Sequence, residues 1–352
     1  MIKFVARRLF YGFLILFGVE AVVFLLFHAL PGDPVAMLAG QRSDIATRNE
    51  IASELGLDQP LLKQFILYLN DQSFISIHEN TPENQQKYEY NPLFRYDKDY
   101  VVALKKPYLR RSFQSNKKVT EIISENIEAT FWLAVAALFI AVIIGIPFGI
   151  AAALKQNSWW DQFLIALSVV GISVPSFVSA VIISLLFGYY LSDYTGLNLT
   201  GQLWVTHPLR GRELHLENII LPAITLGIRP LSVIVQLTRS SMLDVLTQDY
   251  IRTAQAKGLG KFKVVFKHAL KNALNPVVTA VSGWLATLMA GAFFVEYIFD
   301  WKGIGFVTIK AVQNLDFPVV IGCTLFIATV FIIVNILVDI IYAMLDPKVR
   351  LR

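Results

Sequence analysis

The 352-residue sequence predicts an all-α membrane protein that crosses the bilayer six times. Three observations predict it. Apolar residues make up 55% of the chain and charged residues only 16%, whereas a soluble domain carries about 25% charged residues. The apolar residues fall into runs long enough to cross a hydrocarbon core of about 30 Å, which takes roughly 20 residues. Lys and Arg gather in alternate connections between those runs, as they do on the cytoplasmic side of membrane proteins.

The first run, 9–30, is interrupted only by Glu20 and a late His28. Its basic start (Lys3, Arg7, Arg8) resembles a signal peptide. The run exceeds the ~7–15 residues of a signal core, however, and no A-x-A site follows, so it reads as a retained span. The second run, 130–154, carries no charge. The third, 163–192, is also uncharged but too long for one upright helix; Pro175 near its middle predicts a kink or a break. The fourth, 219–237, contains Arg229, the fifth is 276–295, and the sixth, 317–343, has Asp339 near its end.

Charge sets the orientation. With the N-terminus in the cytoplasm, the inner pieces hold Lys3, Arg7, Arg8, Lys155, the cluster from Arg239 to Lys271, and Lys348, Arg350 and Arg352. The short outer loops hold Arg210, Arg212, Lys302 and Lys310 beside Asp193, Glu213, Glu217, Glu296 and Asp300. Both termini fall inside, as an even number of spans requires. This bias accounts for the net charge of +5 and the isoelectric point near 9.1. Nothing is then left for nucleic-acid binding to explain.

Topology divides the chain into 1–30 (N-terminus and first span), an extracytoplasmic segment 31–129, and a core 130–352 with the other five spans. In the outer segment, 47–55 and 61–69 are helix-like, and Ser43 or Asp44 fits as a cap for the first. Residues 75–108, rich in Asn, Glu, Tyr and Lys, read as an insertion: a lid, a docking surface or a tolerated loop. The inner segment 239–275 is more specific. It has strong helix formers on both sides of Gly258 and Gly260 and no proline, which predicts helix, tight turn, helix. Ala254, Ala256 and Gly258 keep the turn slim. Two readings fit: insertion into a groove on a partner, or a surface hairpin held on anionic lipid by its lysines.

No catalytic constellation emerges. Gly258-Leu-Gly-Lys261 lacks the spacing and the Ser/Thr of a phosphate-binding loop. His207 and His215 lack metal-ligand spacing, and the single Cys323 excludes an internal disulfide. We expect no catalytic residue, no metal and no directly bound cofactor. Charges within spans are candidates for function. Glu20 and Arg229 fit a polar path, and equally fit pairing with a neighbour or, for Arg229, snorkelling to a wet surface.

Four motifs carry a family resemblance: ARRLF…FLLFHALPGDP (6–34) with ELGLDQPLLKQF (54–65); SVPSF (173–177); LTRSSMLDVLTQDYIRTAQAKGL…FKHALKNALNPVVT (237–279); and LVDIIYAMLDPKVR (337–350). Together they resemble the permease subunit of binding-protein-dependent ABC importers, in the dipeptide, oligopeptide and nickel branch. The resemblance covers most of the chain except 75–108, a region usually shorter in that branch.

The third motif resembles the family's coupling loop, E-A-A-x3-G-x9-I-x-L-P, with Ala254, Gly258 and Leu270 as strict matches. The resemblance implies the type I importer fold with an insertion between the first two helices. It implies that Tyr250, Ile251, Ala254, Lys257, Gly258 and Leu270 couple to a separate ATPase. It implies a second homologous permease, two ATP-binding subunits carrying ATP and Mg, and an extracytoplasmic solute-binding protein. Ser173, Pro175, Ser176 and Phe177 then stand with Glu20 and Arg229 as candidates for the solute path, because a proline break frees carbonyls that only a cavity or another helix satisfies. The expected setting is the bacterial inner membrane. The expected solute is a di- or oligopeptide; nickel or another small solute, or an ion-coupled secondary transporter, are the alternatives.

Overall fold

The computed structural model describes residues 2–29, 58–95, 97, 99–207, 209–290 and 292–345. The expected caps at Ser43 and Asp44, the patch 47–55, and the motif residues 30–34, 54–57 and 346–350 lie outside the described residues.

In chain order the elements begin with α1 (Ile2–Ala29), α2 (Leu61–Gln72), β1 (Ile75–Glu79), α3 (Pro82–Tyr88), β2 (Asn91–Arg95) and β3 (Tyr100–Leu104). Next come α4 (Val119–Leu154), α5 (Trp159–Ser173) and α6 (Ser176–Leu185), the last running into a π turn, Leu186–Tyr190. A hairpin of β4 (Trp204–His207) and β5 (Gly211–Leu214) precedes α7 (Glu217–Leu246), α8 (Asp249–Ala256) and α9 (Lys261–Ala273, π-wound over Val264–Ala269). The chain continues through α10 (Asn275–Ala290), α11 (Phe293–Ile298), α12 (Ile304–Gln313) and α13 (Phe317–Leu345).

Among the described residues α1, α4, α7 and α13 are each long and apolar enough to cross a bilayer. Two bent pairs, α5–α6 and α9–α10, bring the total to 6 if each counts as one span, as the apolar runs predict. The break expected at Pro175 is a bend of 108°. Val174 is extended, Pro175 occupies the N-cap of α6 at φ −58°, and its ring leaves no N–H to continue the α5 ladder. α5 opens on Ser158, whose side chain accepts from the Asp161 N–H, and its first turn exposes Trp159 and Trp160. Trp159 stacks on Phe163 at 5.3 Å, an aromatic face of the kind found at membrane–water boundaries.

Residues 1–9, 126–309 and 329–352 form one compact unit, in which α7 is the central helix. Its buried Leu221, Met242 and Ile234 each serve one of three apolar clusters along its length. Two glycines one turn apart on α4, Gly145 and Gly149, let that helix approach α7 closely. A Cβ on Gly149 would lie 2.5 Å from the Thr238 Cβ and 2.7 Å from the Val235 carbonyl. Without a hydrophobic driving force in lipid, small residues at such crossings carry the packing. Gly149→Ala is expected to lower the thermal stability of the detergent-solubilised protein by about 1–3 kcal/mol, the cost of overpacking. Gly283→Ala, where nothing lies within 4 Å, serves as the control that leaves it unchanged.

A salt bridge pins α5 to α7. Arg239 Nε donates to Asp161 Oδ1 at 2.5 Å and Nη2 to Oδ2 at 2.7 Å, and the Asn157 N–H adds a third donor at 2.9 Å. Asp161 is buried, and this fork satisfies it in a way a single lysine would not.

Residues 10–125 and 310–328 form the second unit. Phe24 of α1, Tyr68 of α2 and Leu325 of α13 share an apolar cluster. Residues 75–104 hold a three-stranded antiparallel sheet in the order β1-β3-β2, with Ile77 opposite Val102. Asp316 ties the far end of this unit together, accepting from the Ser112 hydroxyl at 2.5 Å and the Phe113 N–H at 2.9 Å.

Candidate coupling loop and solute path

The segment after α7 folds as helix, turn, helix. α8 ends in a Schellman motif: the Gly258 N–H donates to the Gln255 carbonyl at 2.9 Å and the Leu259 N–H to the Ala254 carbonyl at 3.3 Å. That closure needs a left-handed residue after the cap, and Gly258 supplies it at φ +77°. Gly260 then starts α9 from extended backbone.

The buried face of α8 is Ile251 and Ala254, three residues apart. They pack with Ile150 and Ala153 of α4, Met242 of α7, and Val264, Val265, Ala269 and Ala273 of α9. These two residues therefore seat the helix, while the outward rim is Tyr250, Arg252, Gln255, Lys257 and Gly258. Leu270 is half-buried against the same cluster. The Tyr250 hydroxyl accepts from Asn272 Nδ2 at 2.8 Å, a strut between the two arms of the hairpin. Phe262 is 74% exposed and stands 4.4 Å from the ring of Phe266, which leaves an aromatic pair on the same exposed stretch.

The bend at Pro175 opens onto a cavity of about 150 Å³ lined by residues of α5, α6, α7, α10 and α11. Ser176 and Arg229 meet there, joined by Ser179, Thr225, Trp284 and Thr287. Ser173, Pro175 and Phe177 are not among the lining residues. Ser173 donates its hydroxyl back to the Val169 carbonyl at 2.8 Å, and Phe177 packs toward Phe294 at 6.0 Å. Glu20, half-buried on α1, belongs to the other unit. The lining residues missed from sequence, Ser179, Thr225, Trp284 and Thr287, had a signal: Ser179 and Thr225 stand at helix spacing from the predicted Ser176 and Arg229, and Trp284 and Thr287 from each other.

A second polar centre had no such signal. Glu296 of α11 is 0% exposed. Its Oε1 accepts from the Thr130 hydroxyl of α4 at 2.8 Å, and its Oε2 from the Phe306 N–H at 3.0 Å. Thr130 in turn accepts from the Ile304 N–H at 2.8 Å, and Trp301 Nε1 donates to the Ala129 carbonyl at 2.9 Å. Gly303 and Gly305 allow the approach: a Cβ on the first would collide with Thr130 Oγ1 and Glu296 Oε2, and on the second with the Phe293 Cα at 2.7 Å. Burial pushes the Glu296 carboxyl up to about 7, against the opposing pull of its donors.

Four long apolar helices with two bent pairs, a helical turn after α7, and a cavity at a broken helix are the features of a membrane transport component. Residues 145–351 match the family described as binding-protein-dependent transport system inner membrane component, and residues 1–85 match the N-terminal region of such components. The chain is 35% identical to the dipeptide transport system permease protein DppB of Escherichia coli (strain K12), over 99% of each chain. It is 37% identical to the di/tripeptide transport system permease protein DppB of Pseudomonas aeruginosa (strain UCBPP-PA14), over 99% of each. It is 33% identical to the glutathione transport system permease protein GsiC of Salmonella typhimurium, over 100% of each. The chain belongs to the family of binding-protein-dependent transport system inner membrane components.

Proposed function

We propose that the chain is the transmembrane subunit through which di- or oligopeptides cross the bacterial inner membrane. The solute is handed over by an extracytoplasmic binding protein. Separate ATP-binding subunits, which carry the ATP and Mg, dock on the 239–275 loop, and a second permease subunit completes the path. Both termini face the cytoplasm. The observation that carries this reading is the hairpin α8–α9: its inner face is anchored by Ile251 and Ala254, while Tyr250, Lys257 and Gly258 stay exposed. A rigid, presented helical turn is what a groove on a partner accepts. The peptide assignment is supported by the named solutes of relatives aligned end to end.

The cavity lined by Ser176, Thr225, Arg229 and Trp284 is the best-supported stretch of the path. Its Arg229 suits a peptide carboxylate and its Trp284 an apolar side chain. The test is reconstitution of the purified complex in liposomes with labelled dialanine and the binding protein. ATP-dependent accumulation that requires all the subunits is the expected result. Accumulation by this chain alone, driven by an imposed proton or sodium gradient, would sink the proposal.

A further inference from the structure

Helix α2, LLKQFILYLNDQ, is apolar over more of its circumference than one packed face needs. At 3.6 residues per turn, Phe65 and Tyr68 share one side, Leu62, Ile66 and Leu69 fill the adjoining side, and Lys63 and Asn70 stand opposite the first.

The first side is packed, and its contacts measure how deep α2 sits. The Phe65 ring lies 5.9 Å from Phe17 and 5.0 Å from Phe24 of α1, and Tyr68 lies 5.6 Å from Phe24. Leu325 of α13 closes the same cluster. The apolar span of α1 ends at Leu26, and that of α13 begins at Phe317. With a rise of about 1.5 Å per residue, Phe24 lies about 3 Å and Phe17 about 14 Å inside the first boundary, and Leu325 about 12 Å inside the second. Phe65, between Phe17 and Phe24, is therefore about 8 Å below the surface of the hydrocarbon.

The rotation of α2 is fixed from its polar side. Asn70 Nδ2 donates to the Ile77 carbonyl at 3.0 Å, and its Oδ1 accepts from the Ile77 N–H at 2.9 Å. The Asp71 carbonyl accepts from the Tyr108 N–H at 2.8 Å. Held on one side by α1 and on the other by β1, the helix cannot turn Leu62 and Ile66 inward, and they stay 72% and 56% exposed. α1 itself exposes Val22, Leu25 and Leu26 beside Phe24, so the apolar surface of the span continues onto α2.

We propose that α2 is embedded in the outer leaflet, with Leu62 and Ile66 against lipid acyl chains. The segment between α1 and α4 is then anchored in the bilayer by a face of its own, and not only by the two spans that flank it. A depth of about 8 Å matches the roughly 5–10 Å to which interfacial amphipathic helices bury their apolar side. Lys63, next to Leu62, has a stem long enough to carry its ammonium toward water. That the leaflet is the outer one rests on the topology proposed above; that α2 lies in a leaflet does not.

Spin-label accessibility tests it. The full chain, purified with the subunits that accompany it and reconstituted in phospholipid nanodiscs, would carry one nitroxide at Leu62→Cys, Ile66→Cys or Gln86→Cys. Cys323 is buried and stays unlabelled. Gln86, exposed on α3, is the aqueous reference. At 62 and 66, collisions with oxygen are expected to exceed those with a water-soluble nickel chelate, at a depth of about 5–10 Å. At 86 the order reverses. Chelate access at 62 and 66 equal to that at 86 would place this face in water and overturn the proposal. Poor access of both quenchers would show a protein partner over the face, and would overturn it as well. The two positions are read separately, so a labelled protein that fails to fold at one leaves the other to decide. The measurement needs neither solute nor ATP, so its outcome is independent of what the chain transports.

Discussion

Gly258→Trp is expected to abolish ATP-driven uptake while the protein remains in the membrane at normal abundance. Two effects must be separated. At φ +77° any L residue is strained, by about 1–2 kcal/mol. A side chain also projects from the turn, because nothing lies within 4 Å of the position a Cβ would take. The turn itself thus leaves space at this position, whereas a groove closed around it, as proposed, would not. Gly258→Ala carries the same backbone strain with almost no bulk. Uptake near wild type in the Ala variant and at background in the Trp variant is the expected pattern, with co-purification of the ATP-binding subunits lost only in the latter. Equal loss in both variants would assign the effect to the Schellman turn itself. Equal retention would remove the loop from the docking role.

Much of this architecture is written in local sequence. Apolar runs define spans because the bilayer leaves few alternatives. Pro175 marks the break, and the Gly258 closure follows from one residue able to take a left-handed conformation. The roles within the hairpin were less legible. Ile251 and Ala254 lie three apart on a short helix, which is the spacing of a buried face, and the family pattern alone did not separate the residues that anchor the turn from those that present it.

The insertion shows a different limit. ISIHE and YVVAL carry strand-like alternation and β-branched residues, but the polar residues around them (ENTPENQQKYEYN) dominate the composition. The pairing of β1 with β3 spans residues 75 to 104, and no local period announces it. Glu296 reads as an ordinary loop charge. Its burial depends on Thr130, distant in sequence, and no pattern in either segment points to the other.

That distant pairing sets the last expectation. Glu296→Ala should destabilise the solubilised protein on the order of 3–5 kcal/mol, because the Thr130 hydroxyl and the Phe306 N–H lose their acceptor inside the protein. Glu296→Gln retains an acceptor for Phe306 and should cost about 1 kcal/mol or less, since it also removes an ionisable group from a buried site. The two variants also differ from wild type in their pH dependence. The carboxyl titrates near 7 when folded and near the ordinary glutamate value of 4.5 when exposed. Between those values the folded state binds more protons than the unfolded one, so the contribution is fully present below pH 4.5 and is lost as pH rises through 7. The span of the shift corresponds to ~3 kcal/mol. Wild-type melting temperature should therefore fall from pH 5 to pH 8 more steeply than that of Glu296→Gln, in which this component is absent. Parallel profiles for the two proteins would show that Glu296 is already ionised at pH 5, held by the Thr130 hydroxyl and the Phe306 N–H against the cost of burial.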